Sequence, residues 1–114
     1  MKNHWISYDE GKHLGETGTE NGVITRDEAF SQSARITLES IDTNDHYAIT
    51  FGIYGYMVHT SWYAALLEAE LAYFEAQKDL AKIVGMIPYN NDPDVDRKID
   101  IVLDLISDFT KKHG

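Results

Sequence analysis

The strongest constraint on the fold is the alternation of apolar residues in the segment HYAITFGIYGYMVHTSWY, residues His46–Tyr63. Apolar side chains recur with a period of two at Tyr47, Ile49, Phe51, Ile53 and Met57. That period is typical of a β-strand with one buried face. A strand from His46 to His59 would span about 46 Å at about 3.3 Å per residue, whereas a domain of this length has a radius of gyration of about 13 Å. We therefore expect the strand to bend at Gly52 and Gly55 or to project beyond its own domain.

Length and charge bound the class of protein. A chain of 114 residues with 43% hydrophobic residues predicts one globular domain, residues 1–114. The net charge of −9 disfavours nucleic-acid binding, because that affinity depends on cationic side chains that neutralise phosphates. It disfavours anionic membranes for the same reason. An acidic surface suits a basic protein partner or serves solubility alone.

The chain contains no cysteine, which excludes disulfides, a thiol nucleophile and thiolate metal sites. The start, MKNHWISYDEGK, lacks the apolar core of a signal peptide, and no apolar run approaches the length of a membrane span. A cytoplasmic location is the resulting expectation.

The N-terminal third is weakly patterned. Trp5–Tyr8 predicts a short strand, and Asp9–Gly22 is polar, carries four glycines and predicts a mobile loop. We therefore expect residues 1–22 to be partly flexible. Val23–Arg26 continues as a strand, but Thr25 and Glu28 also match a capping box, so a helical turn at Arg26–Phe30 remains an open alternative.

The next two segments predict a β-hairpin. Ala34–Ile41 alternates apolar and polar residues, with Arg35, Thr37 and Glu39 on the polar side. The four turn-forming residues Asp42–Asp45 connect it to His46–Ile53.

Two helices should follow the strands. The first begins near Trp62, with Thr60 or Ser61 as cap, and ends near Val84, before Gly85. Its predicted buried band consists of Leu66, Ala69, Tyr73, Leu80 and Ile83, flanked by Leu67, Leu71 and Phe74. The second begins at Asp92 and Pro93. It buries Val95, Ile99, Val102, Ile106 and Phe109. The expected fold is α+β, an antiparallel sheet of three to four strands followed by two C-terminal helices packed on one face.

Metal and cofactor motifs are weak, and the sequence predicts neither a metal site nor a cofactor. Asp92, Asp94 and Asp96 match the start of a calcium-binding loop, but Arg97 and Leu103 stand where that loop needs glycine and glutamate. Asp100, Asp104 and Asp108 recur on one helix face, which is typical of a solvated face.

His59 is the one histidine that strand register places toward the covered face. A titratable group at the edge of a core can assist proton transfer, or it can simply bond to backbone or to Thr60 and Ser61. No Gly-x-Ser-x-Gly motif surrounds Ser61, so a nucleophile–base pair with His59 is disfavoured. No catalytic residue is assigned.

Tyr54 and Tyr56 fall on the opposite side of the predicted strand, with Thr50 and Val58. Such an exposed aromatic face indicates a partner or a ligand groove. The alternative is that the N-terminal segment folds over this face through Trp5 and Tyr8.

These observations favour a non-catalytic domain that acts through protein binding or self-association as a homodimer. The candidate ligand-binding or partner-binding residues are Tyr54, Tyr56, His59 and Trp62. The first alternative is an acidic inhibitor or immunity protein of a basic toxin, favoured by electrostatic steering. The second is a small-molecule-binding domain or an enzyme using His59.

Overall fold

The computed structural model describes residues 4–41 and 46–114. Five antiparallel strands form one sheet in chain order: β1 (Trp5–Ser7), β2 (Val23–Phe30), β3 (Ala34–Ile41), β4 (His46–Ile53) and β5 (Met57–Tyr63). A 3-10 helix, Tyr8–Gly11, follows β1, and two α-helices complete the chain: α1 (Leu66–Met86) and α2 (Val95–Lys112). The expected α+β fold is confirmed, with five strands instead of three to four.

The predicted hairpin is confirmed at both of its ends. Ala34 pairs with Ile53 and Ile41 pairs with His46, without a shift in register. The predicted turn Asp42–Asp45 lies outside the described residues. The alternative left open for Arg26–Phe30 is settled as strand, because every residue of this segment pairs with β3, from Arg26 with Leu38 to Phe30 with Ala34.

The prediction of one long strand is wrong, because the chain reverses between β4 and β5. The Tyr56 N–H donates to the Ile53 carbonyl at 2.9 Å, which closes a turn, and Gly55 has φ +81. A type II turn requires a positive φ at this position, and glycine adopts it without strain. Tyr54 and Tyr56 are therefore turn residues, and two strands of eight and seven residues, β4 and β5, stand where one strand of about 46 Å was expected.

The sheet has two distinct faces. The helix face carries the core against α1 and α2, and these core residues include Ile36, Leu38, Ile49, Phe51, Tyr73, Leu80 and Val102. Phe51 and Phe109 meet edge to face at 5.1 Å between ring centroids. The second face carries the alternating side chains Asp27, Arg35, Thr37, Glu39, Thr50, Val58, Thr60 and Trp62.

The helix boundaries differ from the predicted ones. Helix α1 begins at Leu66 and not near Trp62, since β5 continues to Tyr63; Thr60 and Ser61 are strand residues and not caps. Gly85 lies inside α1, which ends at Met86. Leu66 is exposed, contrary to prediction.

Helix α2 begins at Val95, two residues after Pro93. Asp92 still supports this end, because its carboxylate accepts the Asp94 N–H at 2.8 Å. None of the helices within the described ranges is long and apolar enough to cross a membrane.

Candidate functional site

A groove of about 1030 Å³ lies between the second face and the segment that connects β1 to β2. Its floor is made of the small residues Thr37, Thr50 and Gly52, and Val58 lies at its β5 side. Tyr8 and His13 form one wall, and Tyr54 and Tyr56 lie at the end of the groove where the chain turns from β4 into β5.

A partly buried ion pair stabilises one side of this groove. Arg35 donates two hydrogen bonds to Asp27, both at 2.8 Å, and Thr37 donates a third to the same carboxylate at 3.2 Å. The Tyr8 ring stacks on the guanidinium at 3.7 Å. The hydrogen bond to Asp27 raises the pKa of Arg35. Because Arg35 is paired with Asp27 and stacked on Tyr8, its guanidinium is held in place as part of the groove wall and is not a free cation.

The sequence left open whether the N-terminal segment covers this face through Trp5 and Tyr8, and only Tyr8 does so. Tyr8 lies over the second face, as the cation–π contact with Arg35 shows. Trp5 pairs with Phe30 at the edge of the sheet and packs against its ring at 5.4 Å on the helix face. The second face is thus partly covered by its own chain.

Glu39 holds the covering segment in place. Its carboxylate accepts the backbone N–H groups of Gly22 at 3.0 Å and Glu20 at 3.1 Å. A Cβ atom at Gly18 would collide with the same carboxylate, so the close approach depends on glycine there. Backbone hydrogen bonds from Gly15 to Ile24 and back from Ile24 to Glu16 extend this pairing. The mobility expected for residues 1–22 stays a prediction.

Tyr54 and Tyr56 differ in their surroundings. Tyr54 is 57% exposed. The burial of the rest of its side chain, together with the neighbouring Tyr8, raises the pKa of its phenol. Its backbone N–H donates to the Ser33 carbonyl at 2.9 Å, which ties the β4–β5 turn to the β2–β3 turn. Tyr56 lines the groove and also packs against the core. Both predicted residues therefore border the groove.

The edge of the sheet at β5 is the second notable feature. The strand pairs with β4 on one side, and within the described residues no other strand pairs with it. Val58 is 82% exposed and Trp62 is 55% exposed on the second face. Residues 46–67 contain no Asp, Glu, Lys or Arg, so the whole of β5 is uncharged apart from His59.

His59 lies on the helix face, as predicted, and away from the groove. Its ring stacks on Phe51 at 6.1 Å between centroids. Its Nε2 is buried without a hydrogen-bond partner among the described residues, and so is Oγ of Ser61, which is 3% exposed. Burial raises the pKa of the nearby Tyr63 phenol, and the proximity of Ser61 offsets part of this increase. The Ser61 hydroxyl nevertheless forms no hydrogen bond of good geometry with the Tyr63 hydroxyl. The structure therefore brings only Tyr54 and Tyr56 together at the groove: His59 lies on the helix face, and Trp62 lies on the second face toward the other end of β5.

A second histidine, His113, lies against the same Phe51 ring as His59. His113 is buried, and its Nε2 lies 2.8 Å from the Asp79 carboxylate, which also binds Lys112 at 3.0 Å. Burial raises the pKa of Asp79, but the hydrogen bonds from His113 and Lys112 outweigh it and lower the pKa. A second cleft, with a volume of about 650 Å³, lies between α1 and α2. Neither His59 nor His113 lines this cleft or the groove.

Carboxylates cover the outer face of α2. Asp100, Asp104 and Asp108 are all exposed, as predicted for a solvated face. Lys112 does not offset Asp108 as its spacing suggests, since it binds Glu75 and Asp79 on α1. Within the described ranges, no three His, Asp or Glu side chains are grouped so that they could hold a metal ion.

Comparison of the chain with protein-family models, with curated proteins and with solved structures gave no match.

The sequence contained signals for parts of this site that alternation alone did not reveal. Glu39 occupies an outward strand position, yet it is 1% exposed. The glycines at positions 18 and 22 were the available signal, because closely spaced glycines in a polar loop permit the backbone to approach another element. The absence of charge across residues 46–67 was also visible and marks the unprotected edge.

Proposed function

We propose that this protein acts by binding another protein chain along the β5 edge and the adjoining second face, and that a second copy of the chain is its partner. The observation that carries the proposal is the state of β5. It is a seven-residue edge strand, without lysine, arginine, carboxylate or proline, and it presents Val58 and Trp62 to solvent.

Edge strands offer unpaired backbone groups to any other strand. Folded proteins protect such edges with charged residues, proline, a bulge or a very short strand. The opposite edge of this sheet is protected in that way, since β1 has only three residues. β5 has none of these protections, and it pairs with β4 from Met57 to Tyr63 without a break. An unprotected edge of this length is best explained by a strand that pairs with it.

Charge opposes self-association but does not prevent it. Two chains of −9 repel each other, while salt screens exposed charges beyond about 8–10 Å. The acidic residues Asp100, Asp104 and Asp108 belong to α2 and not to the uncharged stretch of residues 46–67. Apolar burial and backbone pairing act at contact, where β5 offers no charge to be buried. The proposal includes no nucleic-acid or membrane partner, and it places the protein in the cytoplasm.

Two substitutions on β5 test the proposal. Val58→Lys with Trp62→Lys puts two cations on the exposed face of the edge strand and should convert a dimer into a folded monomer. Leu71→Lys is the matched control, because Leu71 is 63% exposed on α1 and its change should leave the dimer intact. Multi-angle light scattering gives the mass, and circular dichroism checks the fold. A monomeric parent at physiological salt would contradict the proposal.

The exposed carboxylates of α2 favour a second candidate function, an acidic inhibitor of a basic protein. Long-range attraction between an acidic helix and a basic surface would accelerate the encounter. The triple variant Asp100→Asn, Asp104→Asn, Asp108→Asn should then lose binding to toxin domains of high isoelectric point, and salt should weaken binding by the parent. Equal binding by parent and variant would exclude α2 as the inhibitory surface.

A further inference from the structure

We infer that two copies pair antiparallel through β5 about a two-fold axis at Thr60, so that Trp62 of each copy packs on Val58 of the other. This inference rests on the proposed self-association and adds its register. It is carried by the length of β5 and by its two exposed apolar residues, Val58 and Trp62, which face each other when the strand pairs with a second copy.

The register follows from parity and length. In an antiparallel pair of strands, the residue numbers of any two facing positions add to the same sum. When both strands are copies of β5, an even sum means that facing side chains point to the same face of the joined sheet. β5 runs from Met57 to Tyr63. A sum of 120 is the one register in which all seven residues find a partner, and it places Thr60 opposite Thr60 of the second copy.

On the second face, this register joins the two most exposed apolar residues of β5. Val58 and Trp62 add to 120, so each Trp62 lies opposite a Val58 of the other copy. Val58 pairs with Gly52 inside its own sheet and borders the groove. Gly52 has no side chain to block a ring that leans over Val58, and among the described residues a Cβ built there would meet the carbonyl oxygens of Arg35 and Met57 at 3.9 Å. Because of the two-fold axis, the contact between Val58 and Trp62 occurs twice, and the pairing removes four apolar side chains from water.

On the helix face, the same register pairs two residues that carry buried polar side-chain atoms. His59 and Ser61 also add to 120, so His59 of one copy lies opposite Ser61 of the other. Facing residues in antiparallel strands have Cβ atoms about 4.5–5.5 Å apart. Nε2 of His59 and Oγ of Ser61 are already buried within one copy, and a Cβ at Gly114 would lie 3.7 Å from Nε2. The helix face therefore tolerates this register but adds no hydrogen bond to it, and Val58 and Trp62 on the second face carry the inference.

Single-cysteine variants test the register, because the chain has no native cysteine. Thr60→Cys should form a covalent dimer as its major product under mild oxidation, since facing Cα atoms about 4.5–5.5 Å apart suit a disulfide. Leu71→Cys, exposed on α1, is the control and should stay monomeric on a denaturing gel. A mixture of Val58→Cys and Trp62→Cys should cross-link, while each alone should not, because equal positions are then about 13 Å apart at about 3.3 Å per residue.

The outcomes separate this inference from the function on which it rests. If the parent is a dimer by light scattering and neither Thr60→Cys nor the mixture cross-links, the register is wrong and self-association stands. If Val58→Cys alone cross-links as well as the mixture does, the two-fold axis is not at Thr60. A parent that is monomeric by light scattering contradicts both the register and the proposed function.

Discussion

The carboxylate of Glu39 accepts the backbone N–H of Gly22 at 3.0 Å, from a strand position that faces away from the helices. A charged acceptor with backbone donors forms a strong hydrogen bond, particularly where water is excluded. This one side chain fixes the loop between β1 and β2 against β3. The loop then forms the wall of the groove, and the rest of the second face extends uncovered to β5.

Gly22→Ala should lower the free energy of unfolding by about 1–3 kcal/mol, the usual cost of overpacking a close contact. A Cβ atom there would lie 2.9 Å from the Ser40 carbonyl oxygen, which belongs to the backbone and cannot move aside. Gly85→Ala is the opposite control. Gly85 lies inside α1, and among the described residues nothing outside its own turn of helix comes within 4 Å of a Cβ built there, so alanine should stabilise by about 0.5–1 kcal/mol. Urea unfolding measures both, and an equal response would contradict the close approach.

Val102→Ala and Ile106→Ala should each lower the free energy of unfolding by about 2–4 kcal/mol. Both side chains are buried in the core beneath α2. Leu103→Ala is the matched control on the exposed side of the same helix and should change stability by less than about 0.5 kcal/mol. Denaturant midpoints equal to that of the parent would show that α2 does not pack as described.

Asp79 should contribute to acid sensitivity. Its pKa is lowered in the folded protein by His113 and Lys112, so its contribution is complete above the unfolded pKa of about 3.9 and is lost as pH falls through the folded value. Asp79→Asn should reduce stability near neutral pH and flatten its decline in acid. Asp104→Asn, at an exposed position on α2, should follow the parent. Thermal unfolding across the acid range distinguishes the two variants.

Calcium should not raise the melting temperature. Asp92 already binds Lys98 at 2.6 Å and Asp94 binds Arg97 at 3.2 Å, so these carboxylates are occupied by cations of the chain itself. The hydrogen bond from Lys98 lowers the pKa of Asp92. An increase that saturates with calcium and disappears in Asp94→Ala would overturn this prediction.

The hairpin of β3 with β4 and the core face of α2 were predictable, because their periodicities extend over whole elements. The turn at Gly55 was not, because the three-residue connection Tyr54–Tyr56 keeps odd positions on one face before and after the reversal. The alternation of faces therefore continues through the turn. For this reason His59 was predicted on the correct face, although the prediction assumed one continuous strand and the chain forms two.

The groove was less predictable than the strands that form its floor. Tyr54 and Tyr56 were identified from their aromatic character, and both border it. Its other wall depends on Tyr8 stacking on Arg35 and on Glu39 binding a loop 17 residues earlier in the chain. Such contacts join segments that share no periodicity, and local pattern carries no information about them.

Amide hydrogen exchange of the parent protein, followed from low micromolar to several hundred micromolar concentration, tests the central claim most directly. If β5 pairs with a second copy, its edge amides from Val58 to Trp62 should gain protection as the concentration rises, while those of β1 should not change. Exchange in β5 that is equally fast at every concentration would contradict the claim that this edge is the binding surface.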